Sequence, residues 1–259
     1  MDLIYLFFLS LSGFAIGFVG GMIGLVLGVV RFPVILSAEP SVTITTGTNL
    51  GVSTLGAITA ALRHYRQKNV QLRPFIFLAS TGAVGAFIGS LLTGYVPFAI
   101  LLVVIGLIVS YEAYVLLKGS KSKIKANDDN DLIYNKNKLI LLESSIGFGV
   151  GLLGGLVGLV LGSIRMPAMI SILKMEPKVA IGTNLAASSI MGISGLAGHI
   201  ISNNVDYSVI LVMGPAAMLG GYLGAKYTDR FSEKTLKHII AIVLIIVAIT
   251  MFVRALYFS

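Results

Sequence analysis

The chain of 259 residues contains no cysteine and few charged residues. The absence of cysteine excludes disulfide bonds, thiolate metal sites and cysteine nucleophiles. Charged residues make up only 12% of the sequence, and acidic ones are nearly absent from its apolar runs, which argues against a cation carrier or a proton pump built on buried carboxylates. No metal-ligand spacing and no set of nucleophile, base and carboxylate is visible. We therefore expect no enzyme, no metal site and no cofactor.

Apolar residues dominate what is present. The sequence is 56% hydrophobic and its mean hydropathy is +0.94, outside the usual soluble range. Because about 20 apolar residues cross a hydrocarbon core as one helix, the sequence predicts an all-α, polytopic membrane protein with the lipid bilayer as a partner. The net charge of +8 comes from basic residues that lie mostly between the apolar runs, where they orient a protein in its membrane. We therefore exclude a nucleic-acid partner.

The apolar runs and one polar stretch divide the chain into two halves. The polar stretch, 118–138, has no bulky apolar periodicity and predicts a mobile linker. We expect a first transmembrane repeat over residues 1–117 and a second over residues 139–259, each with four long helices. The eight apolar runs are 3–30, 44–62, 75–92, 98–117, 139–164, 179–201, 209–225 and 239–253.

The two halves are copies of one unit. Residues 13–33 are identical to residues 147–167 at 12 of 21 positions. After one inserted residue, a shift of 135 aligns a Gly-Thr-Asn motif and a histidine in both halves. Such internal similarity indicates a tandem duplication, for which transporters place the substrate site between the repeats, near the midplane. The aligned residues are Gly47, Thr48, Asn49 and His64 in the first half and Gly182, Thr183, Asn184 and His199 in the second.

The charges of equivalent loops indicate inverted repeats. The loop 63–74 holds four basic residues, whereas its partner, 202–207, holds none. The next pair is reversed, because 94–97 holds none and 226–237 holds four. Lys and Arg accumulate on the cytoplasmic side, so equivalent loops should face opposite sides. Each repeat then crosses the membrane an odd number of times, which places both termini outside and the linker in the cytoplasm.

An odd number of crossings requires a fifth passage in each half. Residues 159–175 can supply it in the second half, as a short passage that either crosses or re-enters. We expect this passage to be broken at Arg165-Met166-Pro167. Irregular backbone at membrane depth is tolerated only where it is covered by protein or lines a cavity. The broken passage is therefore the predicted site.

Arg31 and Arg165 occupy equivalent positions in otherwise uncharged stretches. An arginine at the bilayer centre costs about 2.5–3.5 kcal/mol on insertion scales, so such residues tend to face a cavity or an ion-pair partner. One interpretation is that two guanidinium groups flank a single oxyanion with forked donors. The other is that each arginine pairs with Glu39 or Glu176, or extends to a membrane interface.

Prolines and the Gly-Thr-Asn motifs complete the candidate site. The proline two residues after each arginine would suit the first turn of a short helix, and each Gly-Thr-Asn motif the start of the next long one. Helix N-termini direct free amides and partial positive charge at a ligand, although ordinary capping stays an alternative. The candidate substrate-binding residues are Arg31, Pro33, Gly47, Thr48, Asn49, Arg165, Pro167, Gly182, Thr183 and Asn184.

His64 and His199 lie near the ends of their apolar runs, away from the predicted centre. They could form a proton relay, but an interfacial or packing role is the favoured interpretation. The glycines spaced by three and four residues favour close helix packing in the same way. They lack the Gly-Lys-Ser/Thr ending of a phosphate-binding loop.

The duplicated glycine-rich stretch that ends in proline, followed by Gly-Thr-Asn, resembles the TauE/SafE sulfite exporter family over essentially the whole chain. The resemblance implies a multi-pass transporter in a prokaryotic cytoplasmic membrane, carrying sulfite, thiosulfate or a small organosulfonate by alternating access. An anion channel, a carrier of another oxyanion or carboxylate, and a homodimer stay open. The matching positions are Gly17, Gly20, Gly21, Gly24, Pro33, Gly47, Thr48, Gly151, Gly154, Gly155, Gly158, Pro167, Gly182 and Thr183.

Overall fold

The computed structural model describes residues 3–39, 41–95, 97–118, 136–171 and 173–257. These residues form ten α-helices and one short 3-10 turn, and no strand occurs among them, so the all-α prediction is confirmed. Residues 119–135 of the expected linker lie outside the described ranges. The helices are α1 (Leu3–Ile23), α2 (Gly28–Ala38), α3 (Val42–Arg66), α4 (Leu72–Leu91), α5 (Phe98–Lys118), α6 (Lys136–Val157), α7 (Gly162–Ser171), α8 (Pro177–Ile201), α9 (Tyr207–Tyr227) and α10 (Glu233–Tyr257).

Six of the described helices are long and apolar enough to cross a membrane. They are α1, α4, α6, α8, α9 and α10, each with at least 19 residues in the apolar span. At 1.5 Å per residue, such lengths match a hydrocarbon core of about 30 Å. Large apolar side chains on these helices are widely exposed, as expected where lipid replaces water. The chain is a multi-pass membrane protein.

Each half contains one short helix after a break in the backbone. Gly24 ends α1 with φ of 74°, and Gly158 ends α6 with φ of 65°. Glycine adopts this left-handed conformation without a steric penalty, which makes it the usual residue just past a helix end. Residues 25–27 and 159–161 that follow are not helical. The short helices α2 and α7 follow these segments.

The expected position of the break is therefore wrong. Arg165 and Pro167 lie inside α7, and the break precedes them at residues 158–161. Pro33 likewise lies inside α2 as its sixth residue, rather than in its first turn. Each proline removes one intrahelical hydrogen bond without ending its helix, whereas Gly24 and Gly158 adopt the left-handed conformation that ends one. Glycine thus marks the break in both halves.

The equivalent helices α3 and α8 pack together in opposite directions. A Cβ atom at Gly47 would meet the side chain of His199, and one at Gly182 would meet the side chain of His64. The two contacts are equivalent, because a shift of 135 residues relates Gly47 to Gly182 and His64 to His199. Contacts that pair the start of one helix with the end of the other require antiparallel packing. Inverted repeats require the same geometry, while the repeat boundaries and the sidedness of the chain stay predictions.

Glycines bring the two halves into close contact at a second pair of interfaces. Gly17 and Gly21 of α1 face the backbone of Ala217 and Gly221 of α9. Gly151 in α6 faces the backbone of α4 in the same way. Small residues allow helix backbones to approach where lipid provides no hydrophobic driving force. The first helix of each half therefore packs against the fourth helix of the other half, and the packing role of these glycines is confirmed.

Candidate anion-binding site

Arg31 and Arg165 are each the fourth residue of a short helix, and both are buried. Each guanidinium reaches a serine on the long helix that follows: Arg31 reaches Ser53 of α3, and Arg165 reaches Ser188 of α8. Each serine is the twelfth of 25 residues in its helix, and such a helix is about 37 Å long. The two positive charges therefore lie opposite the middles of α3 and α8.

Within the described ranges, no carboxylate oxygen lies within ion-pair distance of Arg31 or Arg165. Glu39 instead accepts the backbone N–H of Ser41 at 3.1 Å, and Glu176 is an exposed residue at the start of α8. The alternative in which these glutamates neutralise the arginines is therefore not observed. Two buried guanidinium groups without a described counter-charge create a strongly favourable place for an anion.

Three neighbouring side chains bind the guanidinium of Arg165. Its Nε donates to Oδ1 of Asn184 at 3.0 Å, and its Nη2 donates to Oγ of Ser188 at 2.5 Å. Its Nη1 lies against the sulfur of Met191. The second-half arginine is thus enclosed on all three nitrogens by side chains of α8.

Arg31 has a much poorer set of partners. Its Nη1 donates to Oγ of Ser53 at 2.8 Å. Its Nε is buried and has no hydrogen-bond partner, and Oδ1 of Asn49 has none either. These two atoms correspond to the pair that Arg165 and Asn184 join in the second half. The duplicated site is therefore satisfied in one half and incomplete in the other.

Each arginine lines its own cavity. The Arg31 cavity has about 240 Å³ of empty space and the Arg165 cavity about 210 Å³, and both are partly open. They share no lining residue, so the arrangement differs from the expected single anion held by both guanidinium groups. A third cavity of about 260 Å³ lies between residues 25–27 and 159–161, and these apolar segments also line the two arginine cavities. The three cavities therefore form a series.

The Gly-Thr-Asn motifs do not begin their helices, contrary to the expectation. Gly47 is the sixth residue of α3, whose N-cap is Ser41, with its hydroxyl accepting from Ile44 N. Gly182 is likewise the sixth residue of α8, which starts at Pro177. Serine is a preferred N-cap and proline suits the first helical turn. These local signals start each helix one and a half turns earlier than expected.

The motif threonines bind turns of the opposite half. Oγ1 of Thr48 accepts the backbone N–H of Asp206 at 2.8 Å, and Oγ1 of Thr183 accepts that of Gln71 at 2.9 Å. Asp206 and Gln71 are the N-cap residues of α9 and α4. The threonines thus satisfy helix-start amides across the interface between the halves.

The motif asparagines bind the helix breaks of the opposite half. Nδ2 of Asn49 donates to the carbonyl of Gly158 at 2.9 Å, and Nδ2 of Asn184 donates to that of Gly24 at 2.7 Å. Carbonyls at a helix end have no intrahelical donor, and in hydrocarbon an unpaired group costs several kcal/mol. The asparagines therefore stabilise the irregular segments beside the arginine cavities.

His64 and His199 bind backbone carbonyls in the last turns of α1 and α6, just before the helix breaks. Nε2 of His64 lies 3.1 Å from the carbonyl of Gly21, and Nε2 of His199 lies 3.0 Å from that of Gly155. Both rings are fully buried. These contacts support the packing role, with Nε2 carrying the hydrogen.

Replacing His64 with phenylalanine is expected to lower the free energy of unfolding by about 1–3 kcal/mol, because the Gly21 carbonyl loses its donor. The pH dependence of transport per folded molecule should not change. Denaturation in detergent and flux between pH 6 and 8 measure the two quantities, and His64→Gln should recover part of the stability. A flattened pH profile in both variants would instead indicate a proton relay.

Three residues that contact the arginines were not predicted from the sequence. Ser53, Ser188 and Met191 contact the guanidinium groups. The recurrence of serine at a shift of 135 is a signal that could have identified the first two. Met191 carries no such signal, because its counterpart is Gly56. The different partners of Arg31 and Arg165 depend on tertiary contacts that the sequence does not reveal.

Comparison with known proteins identifies the family. A family model described as "Sulfite exporter TauE/SafE" matches residues 9–251. The chain is 30% identical to the "Probable membrane transporter protein YunE" of Bacillus subtilis (strain 168), over 92% of this chain and 94% of the relative. It is 24% identical to the "Probable membrane transporter protein YdhB" of the same organism, over 88% and 90%. A relative from Methanocaldococcus jannaschii, "Probable membrane transporter protein MJ0441", is 24% identical over 91% of each.

No solved structure matches the chain significantly. The sequence relatives are described as transporters and none of these descriptions names an enzyme. The family match covers nearly the whole chain, including both helix breaks and both buried arginines. The chain therefore belongs to the TauE/SafE sulfite exporter family of membrane transporters.

Proposed function

We propose that the chain exports small sulfur-containing anions, such as sulfite, thiosulfate or an organosulfonate, across a prokaryotic cytoplasmic membrane. The family supports the sulfur chemistry, because its description names sulfite. The relatives support the transporter class without naming a substrate. The anionic character of the substrate is supported by the site itself.

The observation that carries this proposal is the pair of buried arginines without a described carboxylate partner. Each buried charge destabilises the empty protein, and an anion that accepts hydrogen bonds from a guanidinium offsets this cost. Both cavities are small, which favours a substrate with few atoms, such as sulfite.

The series of cavities favours an alternating-access carrier rather than an open channel. The described cavities meet at residues 25–27 and 159–161, which are apolar. An anion passes this level only when the two segments separate. Both segments follow a glycine in the left-handed conformation, and such irregular backbone absorbs dihedral changes more easily than a continuous helix. Separation of these segments would connect one cavity with the next.

The direction of transport follows from the membrane potential. With the inside negative, each unit of negative charge that leaves the cell gains about 2.3 kcal/mol per 100 mV. Export of a sulfur oxyanion therefore needs no coupled ion. Import would need one, and the buried histidines are engaged with backbone carbonyls. Outward uniport is the simplest mechanism for this set of residues.

Flux in proteoliposomes tests the proposed function. Purified protein is reconstituted and the flux of radiolabelled sulfite, thiosulfate and sulfoacetate is measured with and without an imposed potential. We expect saturable flux of at least one anion, accelerated when its exit side is positive, and counterflow against unlabelled anion. Flux that rises linearly without counterflow would indicate a channel. No flux of any of the three anions would exclude the proposed substrates.

A further inference from the structure

Resting on the proposed function, we infer that the transported oxyanion binds in the first-half cavity, to Arg31 and Ser53, and that Met191 blocks the equivalent contact with Arg165 in the second half. The two arginines are thus a binding residue and a residue held by its neighbours, rather than a symmetric pair. Three differences between the duplicated positions lead to this assignment.

The first difference is the unused donor of Arg31. The residue is 2% exposed, its Nε has no hydrogen-bond partner, and it lines the Arg31 cavity together with Ser53. A guanidinium offers five N–H donors in a planar fork, which matches two oxygens of an oxyanion. A buried donor left unpaired is destabilising. A bound oxyanion in this cavity would supply the missing acceptor.

The second difference is the engagement of Arg165. Its Nε and Nη2 donate to Asn184 and Ser188, and its Nη1 contacts the sulfur of Met191. An anion at this arginine would have to displace at least one of these side chains. All three nitrogens of the second-half guanidinium are therefore engaged, whereas Nε of Arg31 has no partner.

The third difference is in side-chain size at one pair of positions that face each other in each half. Gly56 lines the Arg31 cavity, whereas its counterpart Met191 lines the Arg165 cavity. Gly56 lies against Ala217 of α9, and Met191 lies over Gly82 of α4, which is the counterpart of Ala217. In the first half, two small residues face each other, whereas in the second half the long side chain of Met191 covers a glycine. Met191 therefore places a long side chain beside Arg165, where Gly56 leaves none beside Arg31.

This exchange provides matched variants. The double variant Gly56→Met/Ala217→Gly gives the first half the pair found in the second. The double variant Met191→Gly/Gly82→Ala gives the second half the pair found in the first. Each keeps the facing pair complementary in size, although the new Cβ atoms at positions 82 and 56 require small shifts of the Gly147 and residue 217 carbonyls, 3.0 and 3.2 Å away. Thermal unfolding in detergent establishes that each variant is folded before binding is measured.

The test is binding of radiolabelled sulfite to the purified chain. We expect one sulfite per wild-type chain. Arg31→Gln should weaken binding roughly 100-fold, because it removes the charge and the forked donor. Gly56→Met/Ala217→Gly should weaken binding by at least about 10-fold. Met191→Gly/Gly82→Ala should add a second bound sulfite per chain.

The outcomes separate this inference from the proposed function. Wild-type affinity in Arg31→Gln would overturn the assignment to the first half, even if wild-type flux of sulfite supports transport. Wild-type affinity in folded Gly56→Met/Ala217→Gly would overturn the role of position 56. If either exchange variant does not fold, Arg31→Gln decides alone. If the wild type neither binds nor transports sulfite, both this inference and sulfite as the proposed substrate are wrong.

Discussion

Sulfite flux through the double variant Arg31→Gln/Arg165→Gln is expected to fall by at least about 100-fold. Glutamine keeps an amide that can donate hydrogen bonds, but it removes both positive charges. The anion must then enter a low-dielectric centre with no counter-charge, where desolvation costs several kcal/mol per ion. The initial rate of sulfite efflux from proteoliposomes, normalised to folded protein, measures the loss.

The matched control for this experiment is Arg230→Gln. Arg230 is exposed and lies over the ring of Tyr227 at 4.5 Å, in the turn after α9. Its removal changes the net charge by one unit without altering the buried cavities, so the efflux rate should stay within about twofold of wild type, in keeping with the small effects of surface charges. Undiminished flux in the double variant would remove the buried arginines from the transport path while leaving the family assignment intact.

Replacing Gly151 with leucine is expected to prevent folding, with a destabilisation of about 4 kcal/mol or more. A Cβ atom at this position would overlap the backbone of Gly82, so no side-chain rearrangement can relieve it. Only separation of α4 and α6 makes room, and their contact joins the two halves. The yield of monodisperse protein in detergent and its unfolding temperature measure the effect.

Gly149 provides the control in the same helix, two residues away. A Cβ atom there would have no neighbour within 4 Å. Gly149→Leu should therefore fold normally, and it should gain up to about 1 kcal/mol from the higher helix propensity of leucine. If the Gly151 and Gly149 variants unfold at the same temperature, the close approach of α4 and α6 is not what stabilises the chain.

The membrane fold and the two deep arginines could be predicted from the sequence because the signals are strong. An apolar run of 20 residues has few alternatives to a membrane helix, and an arginine in an otherwise uncharged stretch stands out against its surroundings. The duplication reinforced both signals, because Arg31 and Arg165 recur in the same context. Long, periodic features of this kind do not depend on tertiary contacts.

The break and the partners of the arginines could not be predicted, for physical reasons. Gly21 packs against a neighbouring helix and Gly24 adopts the left-handed conformation, yet both are glycines in one helix-like pattern. We expected the break at Pro167 because proline often interrupts a helix, but α7 contains this proline in its second turn. Whether Arg31 and Arg165 share a cavity depends on how α2 and α7 pack, which local sequence does not determine.

The reciprocal hydrogen bonds at the helix breaks have a consequence for how the two halves fold. Asn184 binds the Gly24 carbonyl and Asn49 binds the Gly158 carbonyl, so each half supplies the donors that the other half lacks. A single half alone in a bilayer would leave these carbonyls without partners, at several kcal/mol each. The two halves are therefore expected to fold as one unit, and neither should be stable in a membrane without the other.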